Sequence, residues 1–339
     1  MTTQLTLFIP ALPGSRDDCP QPKSWVPALE TFLARARCHR AVSGGSTAAL
    51  FQLFGFDAWT EGGYAVAALT GLYDGIDTPN DGLWLRADPV HLAADRDRVV
   101  MAGYYDLSVR PTESDRLAQA FNNLFGEDGL RLHTPTPQRW YLRVPQAPDF
   151  NASAVEKVVG QDIDPHLPRG EGALRWHRLL NEVQMLFHAS DVNQNRQQQG
   201  ELPVNSLWLW GGGRLPEAPS MPWSCVWGND VISRALARYC QVKEQSLPPT
   251  AGEWLEYAGD GPHLVVMEGA RHGDRATWQA FVDGVENEWI APLLAAVKSA
   301  RVSEVRLVTG DGNAYCLTAK SLRRWWRHRR PLSYFQSAE

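Results

Sequence analysis

Apolar and polar positions along the chain alternate between short unbroken runs and longer periodic stretches, and each texture predicts an element. Leu5–Ile9 is a short apolar run stopped by Pro10 and Pro13, which predicts a first strand. Across Val26–Arg37, Leu29, Phe32 and Leu33 recur at helical spacing. Small-residue turns and apolar helical pieces fill Gly44–Gly75, and Thr78–Gly82 (TPNDG) is a turn cluster that closes the first core segment.

The texture then changes. Leu83–Arg86, Val99–Ala102 and Trp140–Val144 read as short strands, and Thr112 with Asp115 three residues on predicts a capped helix through Asn123. A longer helix is predicted over Glu171–His188, with Leu179, Leu180, Val183 and Phe187 on one side. After residue 200 strand and helix alternate: Ser206–Trp210 before Asp230–Tyr239, His263–Met267 before Ala276–Lys298, then Glu304–Thr309 before a basic tail. Such alternation argues for a mostly parallel sheet covered on both faces. Pro292 is expected to kink or divide the last long helix. The expected organisation is an α/β core from 1–80 and 200–339, with a smaller inserted α+β domain at 81–199.

Composition changes this picture little. At about 150 residues per domain, 339 residues suggest two domains. The 44% apolar and 21% charged content is that of an ordinary globular protein. No apolar run approaches the roughly 18 residues of a membrane span. The opening MTTQLTLFIPALPG has no cationic start and reads as a strand, not a signal peptide. A net charge of −5 gives no global push toward nucleic acid. Five scattered cysteines without a C-x-x-C pair argue against a disulfide framework and a thiolate zinc site, and they favour a cytoplasmic setting. Most of the fourteen Trp are expected in the core, with some lining a pocket or an interface.

The most distinctive stretch is HASDVNQNRQQQGELPVNSLWLWGGG, residues 188–213. Val192, Asn193 and Arg196 end a helix, and Asn205, Trp208, Trp210, Gly211 and Gly213 follow through a short loop. Upstream stand Asp162-Ile163-Asp164-Pro165-His166, Trp84-Leu85-Arg86-Ala87-Asp88 and Arg139. Together these segments resemble the archaeal-type cofactor-independent phosphoglycerate mutases, most densely over residues 138–240. The phrase WLRADPVHLAADRDR (84–98) resembles a divergent bacterial subfamily labelled as regulatory proteins or as phosphoglycerate mutases.

That resemblance implies an alkaline-phosphatase-like α/β core holding two divalent metals, with the inserted domain closing over substrate. It also implies a metal-activated serine nucleophile, with ions gripping the attacking and leaving phosphoryl oxygens. The chain departs from the pattern at several points. Where the first strand should end in Asp-Gly, Ile9-Pro10 stands. The nearest counterpart of the nucleophile turn is Gly62–Ala67, which has no serine; Ser46 and Thr47 in SGGST match less well. Glu268 and His272 have the family's carboxylate–imidazole spacing, but the later Asp-His pair survives only as Asp311.

Each candidate has two readings. Glu268, His272 and Asp311 are either a residual site for one divalent ion or solvated loop polarity past strand ends. Arg86, Arg139, Asn193, Arg196, Asn205 and Arg214 either hold an anion, since an Arg fork suits phosphate, or cap and brace the backbone. Asp164 and His166 are either acid–base groups near a ligand or turn residues. The tail Arg323–Arg330 (RRWWRHRR) either docks its two Trp on the core in a final helix, or contacts nucleic acid or an anionic membrane.

The expected function is that of a degenerate mutase-like protein binding a phosphorylated or anionic metabolite in a regulatory role. An active metal-dependent phosphomutase or phosphotransferase with a rearranged site is the alternative. A third reading is a nucleic-acid or membrane-surface regulator working through the tail. No cofactor is expected beyond one divalent ion, and no protein partner is legible.

Overall fold

A computed structural model describes residues 3–10, 12, 14, 25–43, 45–56, 63–77, 83–146, 153–170, 172–269 and 275–335. Thr78–Gly82, Gly62 and His272 lie outside these residues. Contacts divide the chain into one unit of 1–56 with 218–339 and another of 57–217. The chain opens with β1 (Thr3–Phe8), α1 (Pro27–Arg35), β2 (Arg37–Ser43) and α2 (Ser46–Leu53). The second unit holds α3 (Val66–Tyr73), β3 (Leu83–Asp95), β4 (Arg98–Gly103), α4 (Pro111–Phe125), β5 (Arg131–Thr136) and β6 (Arg139–Val144). It ends with α5 (Ala173–His188), α6 (Asp191–Gln198) and β7 (Ser206–Gly213). The first unit resumes with β8 (Cys225–Trp227), α7 (Val231–Tyr239), β9 (Glu244–Gln245), α8 (Ala251–Tyr257), β10 (Pro262–Val266) and α9 (Arg275–Gly284). A π-helical stretch, Val285–Ile290, leads into α10 (Ala291–Lys298), β11 (Val302–Val308), β12 (Asp311–Thr318) and α11 (Ala319–Leu322).

The first unit is built on a seven-stranded sheet ordered β2-β12-β11-β1-β10-β8-β9. β11, β1, β10, β8 and β9 run parallel, and β12 and β2 extend the sheet antiparallel. Leu5, Leu7 and Phe8 of β1 and Leu264, Val265 and Val266 of β10 are buried, as parallel strands covered on both faces require. Helix α1 begins on Pro27, which suits a first helical position, and buries Leu29, Phe32 and Leu33. Its free N-terminal amides are met from afar. Glu286 accepts from Ala28 N at 2.6 Å and Leu29 N at 2.7 Å, a carboxylate at the positive end of a helix dipole. The last long helix departs from α geometry just before Pro292: a π turn, Val285–Ile290, separates α9 from α10, and Pro292 stands in the first turn of α10.

The named strands of the second unit pair antiparallel, ordered β4-β3-β6-β5 with β7 also paired to β3. One face of this sheet is apolar: Leu83, Leu85, Ala87, Leu132, Trp140, Leu142, Leu207 and Leu209 form one cluster with Phe121 of α4 and Val183 and Phe187 of α5. The opposite face carries Trp84, Arg86, Asp88, Tyr141 and Trp210, as the period of two demands. β3 is thirteen residues long, well beyond the expected Leu83–Arg86. The expectation for Ser206–Trp210 also changes. This segment pairs antiparallel with β3 (Arg86↔Trp210) instead of joining the parallel sheet, and β8 is the strand that leads to α7. A short apolar run looks alike in either sheet, so its pattern alone does not assign it to one of the two units, which contacts divide at 56/57 and 217/218.

Candidate functional site

Arg86 lies on β3 between Tyr141 of β6 and Trp210 of β7, its partners in register on either side. Its guanidinium carbon stands 5.3 Å from the Tyr141 ring and 5.4 Å from the Trp210 ring. Arg86 and Asp88 are both buried, and Asp88 Oδ1 accepts from Arg86 Nε at 3.1 Å and Nη2 at 2.5 Å. Trp210 Nε1 donates to Asp88 Oδ2 at 2.7 Å. Burial opposes the charge on Arg86, yet Asp88 beside it carries the guanidinium above its ordinary value.

A second pair adjoins the first. Arg139 donates Nε and Nη2 to the two oxygens of Asp74 at 2.8 and 2.6 Å, and Tyr141 Oη donates to Asp74 at 2.6 Å. The bond to Asp74 raises Arg139, and burial raises the Tyr141 phenol. Asp74, Asp88, Tyr141, Trp84 and His133 were not among the sequence candidates. The legible signal was Asp88, two residues from Arg86 and hence on its face of the strand.

Two buried nitrogens in this cluster have no hydrogen-bond partner among the described residues. Trp84 Nε1, two residues before Arg86 on the same face of β3, is buried without a partner, and so is His133 Nε2. The Trp84 and His133 rings lie 5.3 Å apart. Burial, helped by Arg131 and Arg143, lowers His133 and disfavours its charged form. Beside the cluster, Gly211 adopts φ +62°, and a Cβ there would meet Val66 Cβ of α3 at 2.9 Å.

The other sequence candidates in this unit bond to the protein itself. Asn193 donates to Phe187 O and Val204 O at 2.8 Å each and accepts from Val204 N at 2.9 Å. Buried Arg196 donates to Leu202 O at 2.8 Å, to Glu113 at 2.7 Å and to Leu107 O. Asn205 bridges Leu92 N and Leu92 O at 2.8 Å. His166 Nδ1 meets Ser153 Oγ at 2.9 Å, the Asp164 amide donates to Asp162 at 3.1 Å, and Arg214 is exposed.

In the first unit, Glu268 follows β10 on the surface and lines a cavity of about 520 Å³ with Asn229, Phe281, Glu288 and Trp289. A Cβ on Gly269 would meet Pro10 O at 2.6 Å, so this segment lies against the end of β1. Asp311 accepts from Thr309 Oγ1 at 2.5 Å, Asn313 N at 3.0 Å and Asn313 Nδ2 at 3.2 Å, which engages it in the β11–β12 turn. Exposed Ser46 opens α2, and its Cα would lie 3.6 Å from a Cβ on Gly310. Ser46 therefore opens α2 beside the turn that follows β11. Gly62–Ala67, where the sequence placed the nucleophile turn, falls instead in the second unit.

No protein-family model matches the chain. Relatives do. The probable 2,3-bisphosphoglycerate-independent phosphoglycerate mutase of Geobacter sulfurreducens is 29% identical over 181 residues, 52% of this chain and 44% of that protein. The 2,3-bisphosphoglycerate-independent phosphoglycerate mutase of Methanothrix thermoacetophila is 38% identical over 123 residues, 36% of this chain and 30% of its own length. These matches span less than half the length of either relative. Among solved structures, a cofactor-independent phosphoglycerate mutase from Thermoplasma acidophilum superposes with a TM-score of 0.50 at 16% identity, covering 100% of this chain and 96% of the other. A Pyrococcus horikoshii protein gives 0.54 at 14% identity, covering 94% and 88%. The chain has the cofactor-independent phosphoglycerate mutase fold.

Within that fold, the metal chemistry implied by the resemblance can be tested against the residues. β1 runs out into Ile9-Pro10 without a carboxylate, and the Asp311 carboxylate is held by its own turn. Among the described residues no three His, Cys, Asp or Glu stand together as a metal site. The described residues therefore do not fit a two-metal phosphoglycerate mutase centre. No described helix is long and apolar enough to cross a membrane.

Proposed function

We propose that the chain is a phosphoglycerate-mutase-like protein that binds a phosphorylated or otherwise anionic metabolite in its second unit and serves as a sensor, without running the mutase reaction. The supporting observation is the pair of buried, unpartnered nitrogens Trp84 Nε1 and His133 Nε2, which share one polar sheet face with the Arg86 guanidinium. A buried donor without an acceptor costs about 1–3 kcal/mol. A phosphate or carboxylate oxygen offers several lone pairs and is the acceptor this set suits. Aromatic walls from Tyr141 and Trp210 and a second guanidinium at Arg139 complete the surroundings.

Calorimetric titration with 3-phosphoglycerate, with inorganic phosphate as the fragment, tests this reading. Saturable binding is expected, weakened about tenfold or more by Trp84→Phe, which removes one N–H and keeps the ring. Binding with equal affinity by wild type and Trp84→Phe, or no binding of either anion, would sink the reading.

One observation favours a second reading, an active phosphotransferase: Ser46 opens α2 beside Gly310. Metal analysis of the purified protein, together with a search for phosphoserine at Ser46 after incubation with phosphoglycerate and Mg²⁺, separates the two.

A further inference from the structure

The basic tail is a different feature, and it lies in the first unit. The helix expected there ends at Leu322, and the two indoles do not dock on the core. Trp325 is 76% exposed and Trp326 59% exposed, edge to face with ring centroids 6.1 Å apart. Tyr334 is also exposed, with the Arg330 guanidinium 4.1 Å above its ring. Exposed large aromatics gathered into one patch mark interaction surfaces, whereas single exposed apolar side chains are ordinary.

The segment is held in shape. Arg327 Nη1 donates to Ala36 O at 2.9 Å and Arg324 Nη1 to Arg35 O at 3.4 Å, which ties it to the end of α1. Turn bonds from Arg324 N to Ser321 O and from Arg327 N to Arg324 O fix the backbone between them. Arg323, Arg327, His328, Arg329 and Arg330 are exposed around the aromatics. Arg329 meets buried Glu30 at 3.5 Å. The result is a braced knob with aromatic tips and a cationic rim.

We propose that this knob docks the protein on an anionic lipid bilayer. Indoles partition into the headgroup region, where one end is apolar and the other wet, and arginines there reach lipid phosphates. A single-stranded nucleic acid fits less well. The edge-to-face indole pair leaves no slot for a base between its rings. The inference is independent of the anion site in the second unit.

The test is co-sedimentation of the full chain with vesicles of phosphatidylcholine alone and of phosphatidylcholine with phosphatidylserine. Binding is expected to the anionic vesicles only and to weaken as salt rises from 50 to 300 mM. At about 1 kcal/mol per arginine near the surface, Arg323→Gln with Arg330→Gln lowers the partition coefficient roughly thirtyfold. Trp325→Ala with Trp326→Ala abolishes sedimentation while circular dichroism and 3-phosphoglycerate titration stay as in wild type. Failure to bind anionic vesicles, equal binding to neutral ones, or unchanged binding by either variant overturns the proposal. Binding of a single-stranded oligonucleotide, or self-association lost in the Trp variant, in place of vesicle binding overturns it too and reassigns the surface.

Discussion

Asp88→Asn is the sharpest perturbation of the second unit. The substitution keeps shape and one oxygen, so Arg86 can still donate to it, but the counter-charge is gone from a site where both residues are buried. The new amide also sets an N–H against the Trp210 Nε1–H, which in the wild type donates to Oδ2 at 2.7 Å. Removing one partner of a buried ion pair costs about 3–5 kcal/mol, because the remaining charge is uncompensated. Arg86→Met with Asp88→Leu removes both charges. It should recover most of that loss, leaving about 1–3 kcal/mol for the unpaired indole N–H. A chain of two units need not unfold in one step, so the readout must be local. Hydrogen exchange of peptides from β3 and β7 measures opening of this sheet directly. A large loss in Asp88→Asn, mostly restored in the double variant, is expected. A loss under about 1 kcal/mol in the single variant would mean that water reaches the pair and that the argument from burial is wrong.

Three further outcomes follow from other contacts. His263 accepts from Trp227 Nε1 at 3.3 Å and faces Gly259 O at 2.9 Å, and burial lowers its pKa below 6.5, so the unfolded chain binds the extra proton first. First-unit stability should therefore fall as pH drops below about 6.5, by up to about 1.4 kcal/mol per pH unit. His263→Gln should flatten that slope in urea titrations between pH 7.5 and 5. Arg196→Lys keeps the charge but loses the fork that serves Leu202 O, Glu113 and Leu107 O, and should cost about 2–4 kcal/mol in exchange at β7. The folded fraction of that variant should bind 3-phosphoglycerate with unchanged affinity, since Arg196 braces backbone. Gly211→Ala combines φ +62° with a 2.9 Å approach to Val66 Cβ, and should lower the thermal midpoint by several degrees, from about 2–3 kcal/mol.

Much of the architecture was legible because periodicity survives in single elements. α5 shows its buried side as Trp176, Leu179, Leu180, Val183 and Phe187, and β1 and β10 show theirs as unbroken runs. Strand partnership was not legible. Ser206–Trp210 reads equally well beside a parallel or an antiparallel neighbour, and only the register Arg86↔Trp210 decides. β2 is largely polar and the apolar run of β12, Ala314–Leu317, is only four residues long, so neither announces an antiparallel extension of the sheet. At the site, Arg86 was visible as a strand arginine, but its counter-ion and aromatic flanks come from three strands. Asn193 and Arg196 stood out in the sequence as ligand candidates, and the structure gives both a backbone-bracing role. The carbonyls that occupy them, from Phe187, Leu107, Leu202 and Val204, leave no trace in residue type.

The most direct test of a mutase fold that senses without converting is ³¹P nuclear magnetic resonance of 3-phosphoglycerate with stoichiometric protein and Mg²⁺. One spectrum reports both binding and turnover. The account predicts a shifted or broadened 3-phosphoglycerate resonance that recovers on adding Trp84→Phe protein in place of wild type, with no 2-phosphoglycerate signal after prolonged incubation. A growing 2-phosphoglycerate resonance, or a spectrum identical to that of free 3-phosphoglycerate, would contradict it.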